Sequence, residues 1–338
     1  MSTENVVVRL NARTSPVMAV EKEILAPLGG RFIEIEGASD EEILDVCRDA
    51  DAVMIVAAYL RRPIVRELKR LKVISRLGTG TDKIDIEEAT RNGILVTNCP
   101  DFSTNEVADH TMALLLAVAR KLKEHEKWMR CGKRPDSVMN MHRLSVQTLG
   151  IVGCGRIGRA VARRASAFGM NILACDPFVS RESRNIDGID FVDFSTVLTQ
   201  SDYLALLCPL TAETRGMVSA PEFEKMKPSA VLINTGRGEL VDESALVDAL
   251  RHGVIGFAAI DVFGEINVFA ETGFPTTHPF FSLENKVMLT PHVAAHSEES
   301  LRQAGLEGAT AVLDVLSGRR PQHIVNPEVL TNLRKSGT

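Results

Sequence analysis

Residues 148–158 read Thr-Leu-Gly-Ile-Val-Gly-Cys-Gly-Arg-Ile-Gly and place Gly153, Gly155 and Gly158 in the spacing GxGxxG. The loop follows an apolar run, Thr148–Val152, that is typical of a buried strand. In a strand, loop and helix of this kind, the first glycine allows a tight turn and the second lets the backbone approach a pyrophosphate. The third lets the helix pack closely on the strand. The stretch predicts a dinucleotide-binding unit; a glycine-rich turn without a ligand is the alternative.

The residues that follow complete this pattern. A helix is predicted over Arg156–Phe168, with its N-terminus directed at the anion, and a second strand over Met170–Cys175. Asp176 comes directly after that strand, where a carboxylate accepts hydrogen bonds from the adenosine ribose and repels a 2′-phosphate. The sequence therefore favours NAD over NADP as the cofactor, although Arg181, a few residues later, could serve a phosphate.

Strands and helices alternate along most of the chain, which is typical of parallel, doubly wound sheets. Asp40 is predicted as the N-cap of one helix, because its side chain can accept a bond from a first-turn amide. A second alternating series starts at Thr148, so the predicted fold class is α/β with two doubly wound parallel-sheet domains. The predicted strands are Val6–Leu10, Arg31–Glu36, Ala52–Val56, Val73–Arg76, Ile94–Thr97, Thr148–Val152, Met170–Cys175, Tyr203–Cys208, Ala230–Asn234, Gly256–Asp261 and Lys286–Thr290, and the helices of the first series are Val20–Leu28, Asp40–Cys47 and Pro63–Leu68.

Two long helical patterns flank the second series. One covers Asn105–Arg130, with apolar residues all around its first half, and the other covers Ser297–Leu316. They suggest a chain that leaves the first domain, builds the second and returns. We expect a cleft between the domains that closes around a substrate.

Composition limits the classes of function. The chain has 338 residues, enough for two domains, and a formal net charge of −5 without a basic tract, which argues against nucleic acid or an anionic membrane as partner. The N-terminus does not resemble a signal peptide, so a cytoplasmic location is expected. Neither the six cysteines nor the eight histidines show metal-ligand spacing. We predict no metal, and cysteines that serve as small buried residues.

Polar residues follow three predicted strands, the usual place for a ligand in a parallel sheet. Arg237 lies just past the strand ending at Asn234, in Asn-Thr-Gly-Arg-Gly, where Gly236 and Gly238 are expected to keep its surroundings open. The other two segments carry Asp261 with Glu265, and His292 with His296.

This set suits the reduction of a 2-oxo acid. Arg237 can bind a carboxylate in a planar two-point contact, and a protonated His292 can donate to the carbonyl oxygen as hydride arrives from nicotinamide. A neighbouring carboxylate would hold the imidazole and raise its pKa. Each residue alone also has a structural interpretation, since Arg237 could neutralise a sheet edge and His292 could satisfy a loop. Their joint occurrence after the glycine loop favours the catalytic interpretation.

At these residues the chain resembles the D-isomer-specific 2-hydroxyacid dehydrogenase family over nearly its whole length. The motifs that carry the resemblance, besides the glycine loop, are Gly78-Thr-Gly-Thr-Asp82, Glu106-Val-Ala-Asp-His-Thr111, Cys208-Pro-Leu-Thr211, Asn234-Thr-Gly-Arg-Gly238, Val241-Asp-Glu243, Asp261-Val-Phe263 and Thr290-Pro-His292.

The resemblance implies roles for further residues. Arg237 would bind substrate, His292 would be the acid/base, and Asp176 would hold the ribose. Backbone amides of the segment with Thr79 and Gly80 would meet the substrate carboxylate. The cofactor would also be lined by Arg156, Ile157, Cys208, Pro209, Thr235, Asp261 and Ser103.

The resemblance also implies an arrangement of domains and one departure. Residues 1–101 and 297–338 would form a substrate-binding domain and residues 102–296 an inserted Rossmann domain, through which family members commonly form homodimers. The family places its catalytic glutamate five residues after the aspartate equivalent to Asp261, and here that position is Ile266. Glu265 lies one residue earlier and is predicted to replace it, with Glu271 as the second candidate.

The predicted function is an NAD-dependent 2-hydroxyacid dehydrogenase or 2-oxoacid reductase, acting on a small 2-oxo acid of the hydroxypyruvate, glyoxylate or phosphoglycerate type. The alternative is an NAD(H)-binding regulatory protein of the corepressor type with little turnover. The substrate side chain would lie near residues 57–60, where Tyr59 and Leu60 favour a small or apolar substituent. Arg61 and Arg62 could instead receive a phosphate, and His296 could face the cleft or lie on a surface loop.

Overall fold

The computed structural model describes residues 4–13, 15–37, 39–134, 141–179, 185–269, 273 and 276–333. The chain divides into two compact units. Residues 1–103 and 296–338 form the first unit, and residues 104–295 form the second.

The first unit has a five-stranded parallel sheet in the order β2-β1-β3-β4-β5. This is the order of a flavodoxin-like doubly wound fold. Its strands are β1 (Val6–Arg9), β2 (Arg31–Glu34), β3 (Ala52–Ile55), β4 (Val73–Arg76) and β5 (Leu95–Asn98), and its helices are α1 (Ala19–Leu25), α2 (Asp40–Cys47), α3 (Arg62–Glu67), α4 (Ile86–Arg91) and α11 (Glu298–Leu316).

Side chains alternate between the two faces of this sheet, and both faces are covered. Val8 and Val53 belong to one apolar cluster, whereas Val7 and Met54 belong to the other, against which α11 packs. Period-two alternation with apolar residues on both sides explains why these strands read as continuous apolar runs.

Capping accounts for two differences from the sequence prediction. The N-cap of α2 is Ser39, whose side chain accepts from the amide of Glu42, so the prediction of Asp40 as N-cap is wrong by one residue. Asp40 instead places a negative charge in the first turn, where the helix dipole favours it. The short helix α4, which was not predicted, starts at the N-cap Asp85.

The second unit has an eight-stranded sheet in the order β13-β12-β11-β10-β6-β7-β9-β8. All pairs are parallel except β8 with β9, an antiparallel edge pair that the sequence did not predict. Its strands are β6 (Thr148–Val152), β7 (Asn171–Cys175), β8 (Asn185–Ile186), β9 (Ile189–Phe191), β10 (Tyr203–Leu206), β11 (Val231–Asn234), β12 (Phe257–Ile260) and β13 (Val287–Leu289), and its helices are α5 (Thr104–Ala119), α6 (Leu122–Arg130), α7 (Arg156–Ala167), α8 (Phe194–Gln200), α9 (Ala220–Phe223) and α10 (Glu243–His252).

The predicted fold class, two doubly wound parallel-sheet domains, is confirmed. The single helix predicted over Asn105–Arg130 is in fact two, α5 and α6, because Lys121 adopts a left-handed conformation with φ 53°. Cys131 is exposed, which contradicts the prediction that all the cysteines are buried. Among the described residues, no helix has the length and apolar character needed to cross a membrane.

Candidate active site

The three glycines of the 153–158 loop have distinct surroundings. Gly153 has φ 90°, and a Cβ on it would overlap the backbone of Cys208. A Cβ on Gly158 would overlap the carbonyl oxygen of Gly153, so helix α7 packs against the loop only without a side chain there. A Cβ on Gly155, the N-cap of α7, would meet no other atom within 4 Å. The loop therefore leaves room at the helix N-terminus, where a pyrophosphate would fit.

Asp176 lies beside this loop at the end of β7. Its Oδ2 accepts from the amide of Cys154 at 2.8 Å, and its Oδ1 accepts from the amide of Phe178 at 2.9 Å. The carboxylate is thus fixed next to the glycine loop, with lone pairs left to accept from ribose hydroxyls. Arg181, the possible phosphate ligand, lies outside the described residues.

The Asn234 side chain shapes the turn that carries Arg237. Its Oδ1 accepts from the amide of Gly236 at 3.1 Å, and its Nδ2 donates to the carbonyl of Arg237 at 2.8 Å. The expectation that Gly236 and Gly238 keep the surroundings open is wrong. A Cβ on Gly236 would lie 2.9 Å from the carbonyl oxygen of Leu206, and a Cβ on Gly238 would overlap the backbone of Phe263 and Gly264. The glycine allows two loops to touch, and Arg237 is half-buried where they meet.

The remaining predicted cofactor residues lie at the same edge or at the start of a helix. Thr235 is buried, and its Oγ1 is 2.8 Å from Oγ1 of Thr111 on α5. Cys208 follows β10, and burial raises the pKa of its thiol to about 11, which makes it unreactive. Pro209 accepts at its carbonyl from Thr214. Arg156 and Ile157 open helix α7, and Ser103 is buried at the end of the first segment of the first unit.

Asp261 organises the loop that carries His292. Its side chain is fully buried, and its Oδ1 accepts from the Thr290 hydroxyl at 2.6 Å and the Val293 amide at 3.0 Å. Its Oδ2 accepts from the Ala294 amide at 3.0 Å. His292 itself has φ 57°, in the left-handed region that residues other than glycine seldom occupy. The loop holds this conformation through bonds on both sides of the histidine.

The loop after β12 sends Glu265 toward a different histidine. Its exposed carboxylate, Oε2, lies 3.6 Å from Nε2 of His278, and Oε2 of Glu243 lies 3.3 Å from the same nitrogen. The His292 ring packs instead against the ring of Phe269, with centroids 5.1 Å apart. The structure thus does not bring Glu265 beside His292, and its catalytic role stays a prediction. Ile266, at the family's glutamate position, is buried, and Glu271, the second candidate, lies outside the described residues.

Glu243, Glu265 and His278 are also the one trio of candidate metal ligands within the described residues. His278 Nδ1 accepts from the amide of Phe280 at 3.3 Å, so the ring carries its proton on Nε2, the atom that faces both carboxylates. A metal would need a lone pair there. The group is therefore better described as a histidine whose Nε2–H faces two carboxylates.

The polar groups of the second unit follow successive strands of one sheet edge. His292 follows β13, Asp261 β12, Arg237 β11, Cys208 β10, Gly153 β6 and Asp176 β7, and this is the spatial order of the strands. Neighbouring strands are about 4.8 Å apart. The chain connections reverse direction between β10 and β6, and a ligand in a doubly wound sheet binds at that point.

In the first unit, Arg76 and Asn98 hold the predicted substrate segment. Nε of Arg76 donates to the carbonyl of Gly80 at 3.0 Å, and Nδ2 of Asn98 donates to the carbonyl of Thr79 at 2.8 Å. With these carbonyls engaged, the segment has a fixed course at the end of β4. His296 is exposed and belongs to this unit, next to the N-cap of α11.

Asn11 was missed by sequence reasoning. It is buried, has φ 62°, and its Oδ1 accepts from three successive amides, those of Val56, Ala57 and Ala58, at 3.2, 2.7 and 2.8 Å. It fixes the start of the 57–60 segment, where the substrate side chain is predicted to lie. An asparagine directly after a buried strand was the available signal.

Arg61 and Arg62 both have carboxylate partners. Arg61 pairs with Asp40 at 3.1 Å, and Arg62 pairs with Asp85 at 3.1 Å and Glu87 at 2.9 Å. The guanidinium of Arg61 also lies 4.8 Å from the ring centroid of Tyr59. The two arginines therefore lie among negative charges that would repel a phosphate.

Comparison with known proteins gives consistent matches. A family model described as the NAD binding domain of D-isomer specific 2-hydroxyacid dehydrogenase matches residues 112–294. The chain is 38% identical over 316 residues to glyoxylate reductase of Thermococcus litoralis, covering 89% of this chain and 93% of that one. It is 36% identical over 318 residues to D-3-phosphoglycerate dehydrogenase of Methanocaldococcus jannaschii, covering 93% of this chain but only 58% of that one.

Solved structures also match nearly the whole of this chain. A glyoxylate reductase from Paecilomyes thermophila has a TM-score of 0.84 at 29% identity, covering 96% of this chain and 99% of that one. D-lactate dehydrogenase from Aquifex aeolicus, solved with NAD and lactic acid, has a TM-score of 0.82 at 27% identity, covering 95% of this chain and 99% of that one.

Proposed function

Because the chain belongs to the D-isomer specific 2-hydroxyacid dehydrogenase family, we propose that it is an NAD-dependent reductase of small 2-oxo acids, working reversibly as a 2-hydroxyacid dehydrogenase. One observation carries the proposal. A glycine loop with room at a helix N-terminus, a guanidinium and an imidazole follow strands of the same sheet edge in the second unit.

Each side chain has a separate task in this reaction. The nicotinamide supplies the hydride. Arg237, carried on a turn that Asn234 fixes, binds the substrate carboxylate through two parallel N–H bonds and so aligns the neighbouring carbonyl. His292 donates a proton to the oxygen that becomes the alcohol, and it takes that proton back in the reverse direction. Thr79 and Gly80 of the first unit are proposed as further contacts to the carboxylate.

Asp176 supports a preference for NAD. Its carboxylate is fixed beside the glycine loop by two backbone amides, and a 2′-phosphate brought there would meet a negative charge. We expect NADH to bind at least about tenfold more tightly than NADPH. Titration of both cofactors measures this, and Asp176→Ser should narrow the ratio. Equal affinity in the unchanged protein would contradict the assignment.

The substrate is proposed to be unphosphorylated, of the glyoxylate or hydroxypyruvate type. Arg61 and Arg62, the two arginines that directly follow the 57–60 segment, lie among Asp40, Asp85 and Glu87. Phosphohydroxypyruvate should therefore be a poorer substrate than hydroxypyruvate, the same oxo acid without the phosphate. A higher kcat/KM for the phosphorylated compound would overturn this part of the proposal.

The deciding experiment follows NADH oxidation with a panel of 2-oxo acids. His292→Ala should lower kcat by about 10²–10⁴-fold, the usual contribution of a general acid. Arg237→Lys should raise KM and lower kcat, because lysine lacks the planar two-point contact. The matched controls are His252→Ala and Arg251→Lys, both exposed at the end of α10. Turnover of wild-type size in His292→Ala would remove the acid/base assignment.

Glu265→Gln tests the predicted partner of His292. If Glu265 reaches the imidazole during turnover, its loss should lower kcat at least about tenfold and move the pH profile. An unchanged profile would leave the carboxylate with the role that the structure shows, beside His278. The corepressor-type alternative predicts tight NADH binding with no turnover of any oxo acid, so the same assay separates the two functions.

We further propose that the protein forms a homodimer through the second unit. A cavity of about 580 Å³ in this unit is lined partly by Leu116, Leu144 and Phe168, and Met129 and Val146 are large apolar side chains exposed in the same unit. Exposed apolar surface of this kind is typical of an interface. Light scattering during size-exclusion chromatography measures the mass, and a monomer at micromolar concentration would contradict the proposal.

A further inference from the structure

The His292 loop is backed by a directed chain of hydrogen bonds that starts at His110 on helix α5. Thr290 Oγ1 lies 2.6 Å from Asp261 Oδ1 and 3.0 Å from His110 Nε2. Both oxygens of Asp261 already accept backbone amides, so its carboxylate is the acceptor and the Thr290 hydroxyl donates to it. The Thr290 oxygen must then accept, and the donor is the Nε2–H of His110.

His110 also faces the carboxylate directly. Its Nε2 lies 3.6 Å from Asp261 Oδ1, inside a site where Asp261 is fully buried and His110 is mostly covered. A buried carboxylate is stabilised only when donors surround it. The Thr290 hydroxyl and the amides of Val293 and Ala294 are its donors, and His110 supports the set by donating to the Thr290 oxygen.

The chain of bonds ends on both sides of His292. Thr290 precedes it by two residues, and the two amides held by Asp261 follow it directly. The left-handed backbone of His292, with φ 57°, is unfavourable for a residue with a Cβ. Such a conformation persists only where its neighbours are held in place.

We propose that His110 is a positioning residue for His292, and that it acts through Thr290 and Asp261 to hold the imidazole at the reacting carbonyl. The proposal rests on the proposed function, in which His292 transfers the proton. It assigns to α5 a part in catalysis that involves no contact with substrate. Without the Nε2–H donor, the Thr290 hydroxyl can turn away from Asp261 and the 290–294 loop can relax.

Two pairs of variants separate the donor from the bulk of the side chain. His110→Leu removes the donor, whereas His110→Gln places an amide Nε2 at the same reach. Thr290→Val removes the hydroxyl at nearly constant volume, whereas Thr290→Ser keeps it. The controls are His252→Leu and Thr199→Val, exposed residues whose side-chain bonds stay within their own helices.

A small misplacement of a reacting group lowers the rate strongly, so His110→Leu and Thr290→Val should each lower kcat about 10–100-fold. NADH affinity and KM should change by less than about threefold, because the cofactor loop and Arg237 are untouched. His110→Gln and Thr290→Ser should restore most of kcat. A wild-type kcat in both His110→Leu and Thr290→Val would overturn the proposal.

Amide hydrogen exchange gives a readout that does not depend on turnover. The amides of Val293 and Ala294 should exchange faster in His110→Leu and Thr290→Val, and at the wild-type rate in His110→Gln. If the wild-type protein reduces no oxo acid, the proposed function fails, and faster exchange confined to these variants still supports the positioning of the loop. Unchanged exchange in both variants rejects the positioning role in either case. Because Thr290→Val is nearly isosteric, it keeps the test valid if His110→Leu does not fold.

Discussion

Each unit contains one buried side chain that accepts several hydrogen bonds from a loop at the carboxyl end of its sheet. In the first unit Asn11 accepts three amides at one oxygen, and in the second Asp261 accepts two amides and a hydroxyl at two oxygens. The first acceptor is a neutral amide, which also donates to the carbonyl of Glu36 at 3.3 Å. The second is a carboxylate that only accepts.

The two loops also differ in where the backbone is strained. Asn11 is itself left-handed, with φ 62°, and asparagine tolerates that conformation better than most residues. In the 290–294 loop of the second unit the left-handed residue is not the acceptor Asp261 but His292, which the loop bonds hold. In the first unit, one structural residue, Asn11, is both the hydrogen-bond acceptor and the residue with the strained backbone. In the second they are separated, and the strained residue is the proposed acid/base.

Asp261→Asn should have the largest effect on kcat and stability, because it replaces the carboxylate by a neutral amide like that of Asn11. One acceptor oxygen becomes an NH₂ that faces an amide N–H or the Thr290 hydroxyl, which leaves buried donors unsatisfied at about 1–3 kcal/mol each. We expect kcat to fall at least about 100-fold as His292 loses its position. Steady-state kinetics and urea unfolding measure the two effects.

Asp248→Asn, at an exposed position of α10, is the control for that substitution. NADH affinity separates two roles of Asp261. If Asp261 acts through the loop, the NADH Kd should change little, whereas direct contact with the cofactor, the role predicted from the sequence, requires a large rise in Kd. A variant with wild-type kcat would show that the carboxylate is not needed to hold the loop.

Asn11→Ala should give the next largest effect and should leave chemistry in the second unit intact. Three amides lose their acceptor, and the alanine must adopt an unfavourable left-handed backbone conformation. The free energy of unfolding should therefore fall by about 2–4 kcal/mol. Hydrogen exchange at the amides of Ala57 and Ala58 should speed up. The expected kinetic result is a higher KM for the oxo acid, with an unchanged NADH Kd.

Asn11→Gly sharpens this result by removing the strain without restoring the acceptor. Glycine occupies the left-handed region freely, but it also gains entropy in the unfolded chain, so it should recover less than about 1 kcal/mol relative to alanine. Full recovery in the glycine variant would mean that strain, and not the three bonds, makes Asn11 necessary.

The contrast between the units also shows what the sequence could predict. Apolar runs and the glycine spacing were sufficient for the fold class and for eleven of the thirteen strands in the described residues, since those signals lie within short stretches. The positions of Arg237 and His292 after strands of the same sheet edge followed from the same patterns. The bonds of Asn11 to residues 56–58 and of His110 to Thr290 join residues far apart in the chain. No local pattern encodes such pairs.

For Glu265, the sequence predicted the residue but not the contacts that it makes. The spacing after Asp261 put a carboxylate within one residue of the family position, but the course of the loop depends on what holds Gly264. That amide donates to Oε1 of Glu243 at 2.7 Å, and the segment is drawn toward His278. Lys121 is a second case, because a left-handed lysine that divides a helix has no composition signal.

Glu243 is a third buried acceptor, and its substitution should change the stability of the protein least. Its Oε1 accepts the Gly264 amide, but its Oε2 has no hydrogen-bond donor, unlike either oxygen of Asp261. Burial raises the pKa of the Glu243 carboxyl above its usual 4.5. A raised folded-state pKa means that this group favours the folded state most below its unfolded pKa, and that this contribution is lost as the pH rises through the folded value.

Glu243→Gln keeps the Oε1 acceptor and removes the charge, so urea unfolding at pH 7 should change by less than about 1 kcal/mol. The variant should gain stability relative to wild type as the pH is raised from 4 toward 8, because only the wild type must ionise a buried carboxyl. His278→Gln identifies how much of that pH dependence belongs to the facing histidine. A stability difference that stays constant with pH would contradict the raised pKa of Glu243, and would show that burial without a second set of donors does not disfavour this carboxylate.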